Sequence, residues 1–170
     1  MNQIKNINLR FRISLLVLLI AIIITGCGFH LRGDIVLPEL YERVHVVSRG
    51  HSNVGRALSE ALENVGTKIV PSPETATSVV TVVSSGTQRK ALNVAGKAIR
   101  EYELQLDISF VVQDHKGVQL AEQQTVSVLR NFKNNPNNVL GVDNEEAIIR
   151  KEMMKPAIFQ VLRRMKAIAE

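Results

Sequence analysis

The chain has 170 residues, 21 of them basic and 16 acidic, with a formal net charge of +5, one cysteine and no tryptophan. That length suits a single domain, and a lone cysteine excludes an internal disulfide. Lys5, Arg10 and Arg12 stand at the N-terminus without an acidic neighbour, and the rest of the chain, with 18 basic and 16 acidic residues, is nearly balanced. Overall charge therefore gives no reason to expect a nucleic-acid partner.

After that basic stretch the chain is apolar from Ile13 to Ile24, broken only by Ser14. This is the charged and apolar layout of a secretory signal. At about 12 residues the run falls short of the roughly 20 needed to span a bilayer. It closes on Ile24-Thr25-Gly26-Cys27, which resembles the lipobox of bacterial lipoproteins. That resemblance implies cleavage of residues 1–26, a diacylglycerol on the Cys27 sulfur and an acyl group on the new amine. No other cofactor is expected, and no metal. One acyl chain holds a protein marginally, whereas two or more hold it stably. Gly28 follows the cysteine, where Asp retains enterobacterial-type lipoproteins at the inner membrane, so an outer-membrane destination is expected. The competing reading is an uncleaved anchor helix with an incidental thiol, but the position of the cysteine speaks against it.

Residues 27–41 read as an acylated N-terminus and turn-rich tether, and 42–170 as one domain. Residues 42–48 form a short strand. Val54, Leu58, Ala61, Leu62 and Val65 repeat at helical spacing, with Ser52 as a cap and Gly66 as a stop. Pro71 and Pro73 mark a loop. A strand over 78–85 is followed by Thr87–Val94 as its resumption.

Residues 101–112 alternate strictly. Tyr102, Leu104, Leu106, Ile108, Phe110 and Val112 share one face, while Glu101, Glu103, Gln105, Asp107 and Ser109 share the other. A sheet with one buried and one wet face follows. His115-Lys116-Gly117 turns into a strand over 118–132, where Glu122 and Gln124 point to a bulge or an edge. After a loop at 133–138, Asp143 and Glu146 resemble a capping box. The last helix then buries Ile149, Met153, Ala157, Val161, Met165 and Ile168, with Pro156 expected to kink or split it. The order β-α-β-β-β-α predicts an α+β two-layer sandwich: a four-stranded mixed sheet with two helices on one face. Strands 1 and 2 should pair in parallel if they are neighbours.

Catalytic chemistry finds little support. His30, His45, His51 and His115 lack metal-ligand spacing, and no nucleophile elbow, phosphate loop or Ser-x-x-Lys is present. A lipid-anchored hydrolase would need such a nucleophile and base. Glu101, Glu103 and Asp107 read better as a solvated or partner-facing face than as a carboxylate pair. Arg89, Lys90, Lys97 and Arg100 flank 91–98, read as the turn between strands 2 and 3, and Arg130 and Lys133 end strand 4. Such clusters can pair with phosphate, abundant at an outer membrane in lipopolysaccharide. Ordinary solubilising charge accounts for them equally well.

Cys27-Gly28-Phe29-His30-Leu31-Arg32, Glu101-Tyr102, Asn135-Pro136, Asp143-Asn144-Glu145 and Lys151-Glu152-Met153 occur in that order. In sequence and spacing they resemble the lipopolysaccharide-assembly lipoprotein family LptE. The resemblance implies a non-enzymatic outer-membrane lipoprotein that assembles with the LptD β-barrel, plugs its lumen and helps insert lipopolysaccharide into the outer leaflet. The hairpin region matches the family less closely. A compact domain of this size is roughly 37 Å across. A 26-stranded barrel leaves about 40 Å inside its wall side chains, and a 16-stranded one too little. A lipid-carrier or ligand-binding lipoprotein without a barrel partner is the alternative, and it would need a large apolar cavity between sheet and helices.

Overall fold

The computed structural model describes residues 35–95, 98–133 and 139–170. Ile35–Glu170 forms one compact unit. Its strands are β1 (Arg43–Val47), β2 (Lys68–Ile69), β3 (Ser78–Ala95), β4 (Ala98–Asp114) and β5 (Gln124–Lys133), and its helices are α1 (Ser52–Asn64) and α2 (Val139–Ala169). They build a five-stranded mixed sheet in the order β2-β1-β3-β4-β5. β1 pairs in parallel with β2 and β3, and β3-β4-β5 is an antiparallel meander.

The alternation along β4 sets the layers. Leu104, Leu106, Ile108, Phe110 and Val112 are buried, and they join Val54, Leu58 and Leu62 of α1 with Met153, Ala157, Val161 and Met165 of α2 in one core. Both helices thus cover the same face. Close approach at one end of this layer depends on Gly55 of α1, where a methyl group would collide with Cβ and Oγ of Ser48. Gly66 ends α1 region with φ +90°, and the Thr67 amide turns back to the Leu62 carbonyl at 3.0 Å.

Several expectations need correction. The sheet has five strands, not four: β2 is two residues long, too short to carry a period, and exists by pairing Arg43 with Lys68 and Val44 with Ile69. His45 secures that edge, its Nδ1 lying 2.9 Å from the Val70 carbonyl. Ser52 opens α1 but makes no capping bond, since the residue at the cap position is His51. β3 passes through Gly86 without a break because Gly86 stays paired with Asp107, and a bulge between Val82 and Ser84 absorbs the irregularity.

β5 starts at Gln124 and forms a sheet edge. Val118 and Leu120 stay exposed, because the Asp114 carboxylate accepts the Lys116 and Val118 amides at 2.8 and 2.9 Å and holds a turn. Finally, α2 begins at Val139 rather than at Asp143 and continues through Pro156. Proline removes one ladder bond, to the carbonyl of Glu152, but the fully buried Met153 and Ala157 on either side hold the helix against the sheet.

Residues 35–41, read as tether, belong to the folded unit. Ile35, Leu37 and Leu40 pack against the core, and buried Tyr41 donates its hydroxyl to the Met165 carbonyl at 2.8 Å. Burial pushes the Tyr41 hydroxyl well above its ordinary pKa. Tyr41→Phe should therefore lower stability by about 1 kcal/mol, read as a lower urea midpoint at unchanged slope. An unchanged midpoint would mean that this bond does not fasten the N-terminal segment to α2.

Candidate functional site

The face of the sheet opposite the helices is polar along β4 and β5, with Val79 and Val111 towards β1, and carries no layer among the described residues. Asp107 lies at its centre, accepting from Gln105 Nε2 at 3.0 Å and from Ser127 Oγ at 2.6 Å. Ser109 and Thr125 hydroxyls meet at 2.8 Å one row on. Lys90 stands opposite Glu103 in register, and Lys133 opposite Glu101. Cross-strand neighbours of opposite charge or matched polarity support each other by a few tenths of a kcal/mol or more per pair. The face is thus an ordered polar surface, with half-exposed Leu129 among its polar neighbours.

A second feature lies on the helix side. Arg89 and Arg130 both stand opposite Leu104, so they point to the covered face. Arg89 Nη1 bonds Glu146 Oε2 of α2 at 2.8 Å, and Arg150 Nε bonds the other carboxylate oxygen at 2.8 Å. The Arg89 guanidinium also lies 4.8 Å from the Tyr102 ring centre. Tyr102 in turn stacks on Phe132 at 5.5 Å. Burial raises the Glu146 pKa, but the bonds and charges of Arg150 and Arg89 outweigh it and hold the carboxyl below its ordinary value. The carboxylate fastens the first half of α2 to the β3–β4 hairpin.

The basic residues singled out by sequence are therefore divided. Arg89 is engaged with Glu146, Arg130 is exposed at the edge strand, and Lys90 and Lys133 are exposed on the open face. Arg89 and Lys90 lie within β3, which continues to Ala95, and not at a turn over 91–98. Arg100 lies in β4, while Cys27 and Lys97 fall outside the described residues. Two histidines have structural partners: His45 at Val70, and His51 Nδ1 at 3.1 Å from Ser85 Oγ. Among the described residues no three metal-capable side chains gather.

Glu146 was legible only as half of a capping box. Its real partner, Arg89, is 57 residues away in sequence, beyond the reach of any local spacing rule. Phe159 is exposed on α2, and its i±4 neighbours Lys155 and Arg163 mark that face as outward.

The family model for lipopolysaccharide-assembly proteins, LptE, matches residues 41–165. This chain belongs to the LptE family. The LPS-assembly lipoprotein LptE of Pectobacterium atrosepticum is 31% identical over 163 residues, covering 94% of this chain and 88% of the relative. That of Photorhabdus laumondii is 27% identical, covering 92% and 87%. Among solved structures, lipoprotein B of Nitrosomonas europaea superposes with a TM-score of 0.70 at 26% identity, over 84% of this chain and 92% of that one. The rare lipoprotein B of Shewanella oneidensis shares the fold, with a TM-score of 0.64 at 20% identity over 74% and 94%. The LptE match begins at Tyr41 and ends at Met165, the two residues joined by the buried tyrosine bond.

The Glu146 clamp yields a pH prediction. The Arg89 and Arg150 side chains are 44% and 40% exposed against 11% for Glu146, so solvent screens the pairing and a modest effect is expected. Glu146→Gln should cost about 1 kcal/mol at pH 7. Because the folded carboxyl is held below its ordinary 4.5, the stabilisation is complete above that value and lost as pH falls through the depressed one. Urea curves of both proteins should converge in acid, and a gap independent of pH would contradict an ionic clamp.

Proposed function

We propose that this chain is an outer-membrane lipoprotein that assembles with the LptD β-barrel, plugs its lumen and helps insert lipopolysaccharide into the outer leaflet. The observation that carries this reading is the family match over residues 41–165. The physical features agree with it. A sheet face of hydroxyls, amides and carboxylates suits a polar lumen, where wall side chains and water satisfy such groups, and would be costly against lipid. Residues 1–26 act as a signal, and Cys27 carries the S-diacylglycerol and N-acyl groups that anchor the protein. In this reading Lys90, Lys97, Arg100, Arg130 and Lys133 contact lipopolysaccharide phosphate. Arg89, already engaged with Glu146, could take that part only by sharing its guanidinium.

A free lipid carrier would keep apolar space between its layers. Here that interface holds Leu104, Ile108, Phe110, Met153, Val161 and Met165 at or near zero exposure, whereas the described pocket lies against Leu37, Pro38, Tyr41, Val65 and Thr67 and not between these side chains.

Depletion of the protein in its own cell provides the test. The barrel should then accumulate misassembled and surface lipopolysaccharide should fall. Normal barrel maturation under depletion would refute the plug and assembly reading.

A further inference from the structure

We propose that the outer face of α2 docks the domain on an anionic phospholipid surface, in the leaflet that holds its own anchor. Lys151, Lys155, Phe159 and Arg163 follow one another at i, i+4 spacing and are all exposed, so they form one row along the helix. Phe159 is a large apolar ring, 41% exposed, between two cations, and Ile148 is 59% exposed on the same side. Glu152 is the acidic side chain beside this row. None of the three cations makes an ion pair among the described residues.

Lone exposed cations are ordinary, but a row of them enclosing an exposed aromatic has a specific physical complement. Lysine and arginine stems lie along apolar matter while their heads reach phosphate, and an aromatic ring gains most at the boundary between headgroup and acyl chain. Cations near an anionic surface add attraction that together amounts to roughly a hundredfold in partitioning for three of them.

The path of the chain favours a membrane as the occupant. Tyr41 is bonded to Met165, so the N-terminal segment enters the fold beside the same helix, six residues beyond Phe159. Only seven residues lie between Cys27 and Ile35, so the eight Cα steps reach at most about 29 Å. Acylation at Cys27 would keep the folded unit within that reach of the leaflet that holds the anchor. The inference rests on the proposed anchor and applies to the lipoprotein before, or outside, its enclosure by a barrel.

The chain contains no tryptophan, so Phe159→Trp introduces a single reporter into the full acylated protein. It would be reconstituted on vesicles of phosphatidylcholine, of phosphatidylcholine with phosphatidylglycerol, and of phosphatidylcholine with lipopolysaccharide. With phosphatidylglycerol the emission should shift to the blue and access of a soluble quencher should fall several-fold. High salt should reverse both changes, as should Lys151→Glu with Lys155→Glu. Equal emission on the first two vesicle types, or indifference to charge reversal, would overturn the docking. A shift confined to lipopolysaccharide would overturn it in favour of that lipid. Flotation separately reports the anchor: failure to float with any vesicle would remove the anchor and the docking with it, whereas flotation with an unshifted tryptophan would remove the docking alone.

Discussion

Everything in this fold depends on the alternation along β4. Five apolar side chains from Leu104 to Val112 point one way and are buried, and the polar residues between them point the other. Slipping the register by one residue would exchange the two faces, placing Glu103, Gln105 and Asp107 in the core. Fully burying an aliphatic or aromatic side chain is worth about 1.5–3 kcal/mol, so five of them in one strand fix the register strongly. β3 and β5 take their registers from β4 on either side, and the covered face then offers one site for the helices.

The same constraint leaves the opposite face to another use. Its groups bond sideways within the sheet, as Asp107 does with Gln105 and Ser127, which orders them without a covering layer. A structural surface of that kind can meet water, or the polar wall of a partner. The helix layer faces a different environment. Its inner side is core, its first half is clamped through Glu146, and its outer side carries cations around Phe159. One alternating strand thus separates a polar sheet surface, suited to a protein wall, from a helix surface suited to phosphate headgroups.

Sequence reading recovers what is periodic and misses what is long-range or short. β4 is legible from 101–112 alone, since alternation and burial coincide there. The core face of α2 is legible for the same reason: Met153, Ala157, Val161 and Met165 recur at helical spacing and are buried. β2 has two residues and exists only because β1 offers an unpaired edge. Pro156 does not split α2, because packing of Met153 and Ala157 on both sides outweighs the local propensity to break. The tether reading of 35–41 fails because Tyr41 is held by a residue 124 positions away. For the functional surface, the polar face of β4 is visible in sequence, but the division of the basic residues between two faces depends on the bulge in β3 and the register with β5. The family resemblance rests on motifs spread from Cys27 to Met153, and the family match covers most of that span.

The proposed function makes the folded domain a component of a barrel complex and not a free lipoprotein. Affinity capture of the acylated protein from detergent-solubilised outer membrane, followed by mass determination of the eluted species, tests that claim most directly. A stable one-to-one complex with a single large β-barrel is the expected result. Recovery of the protein as a free monomer, with no barrel under conditions that keep barrels folded, would contradict it.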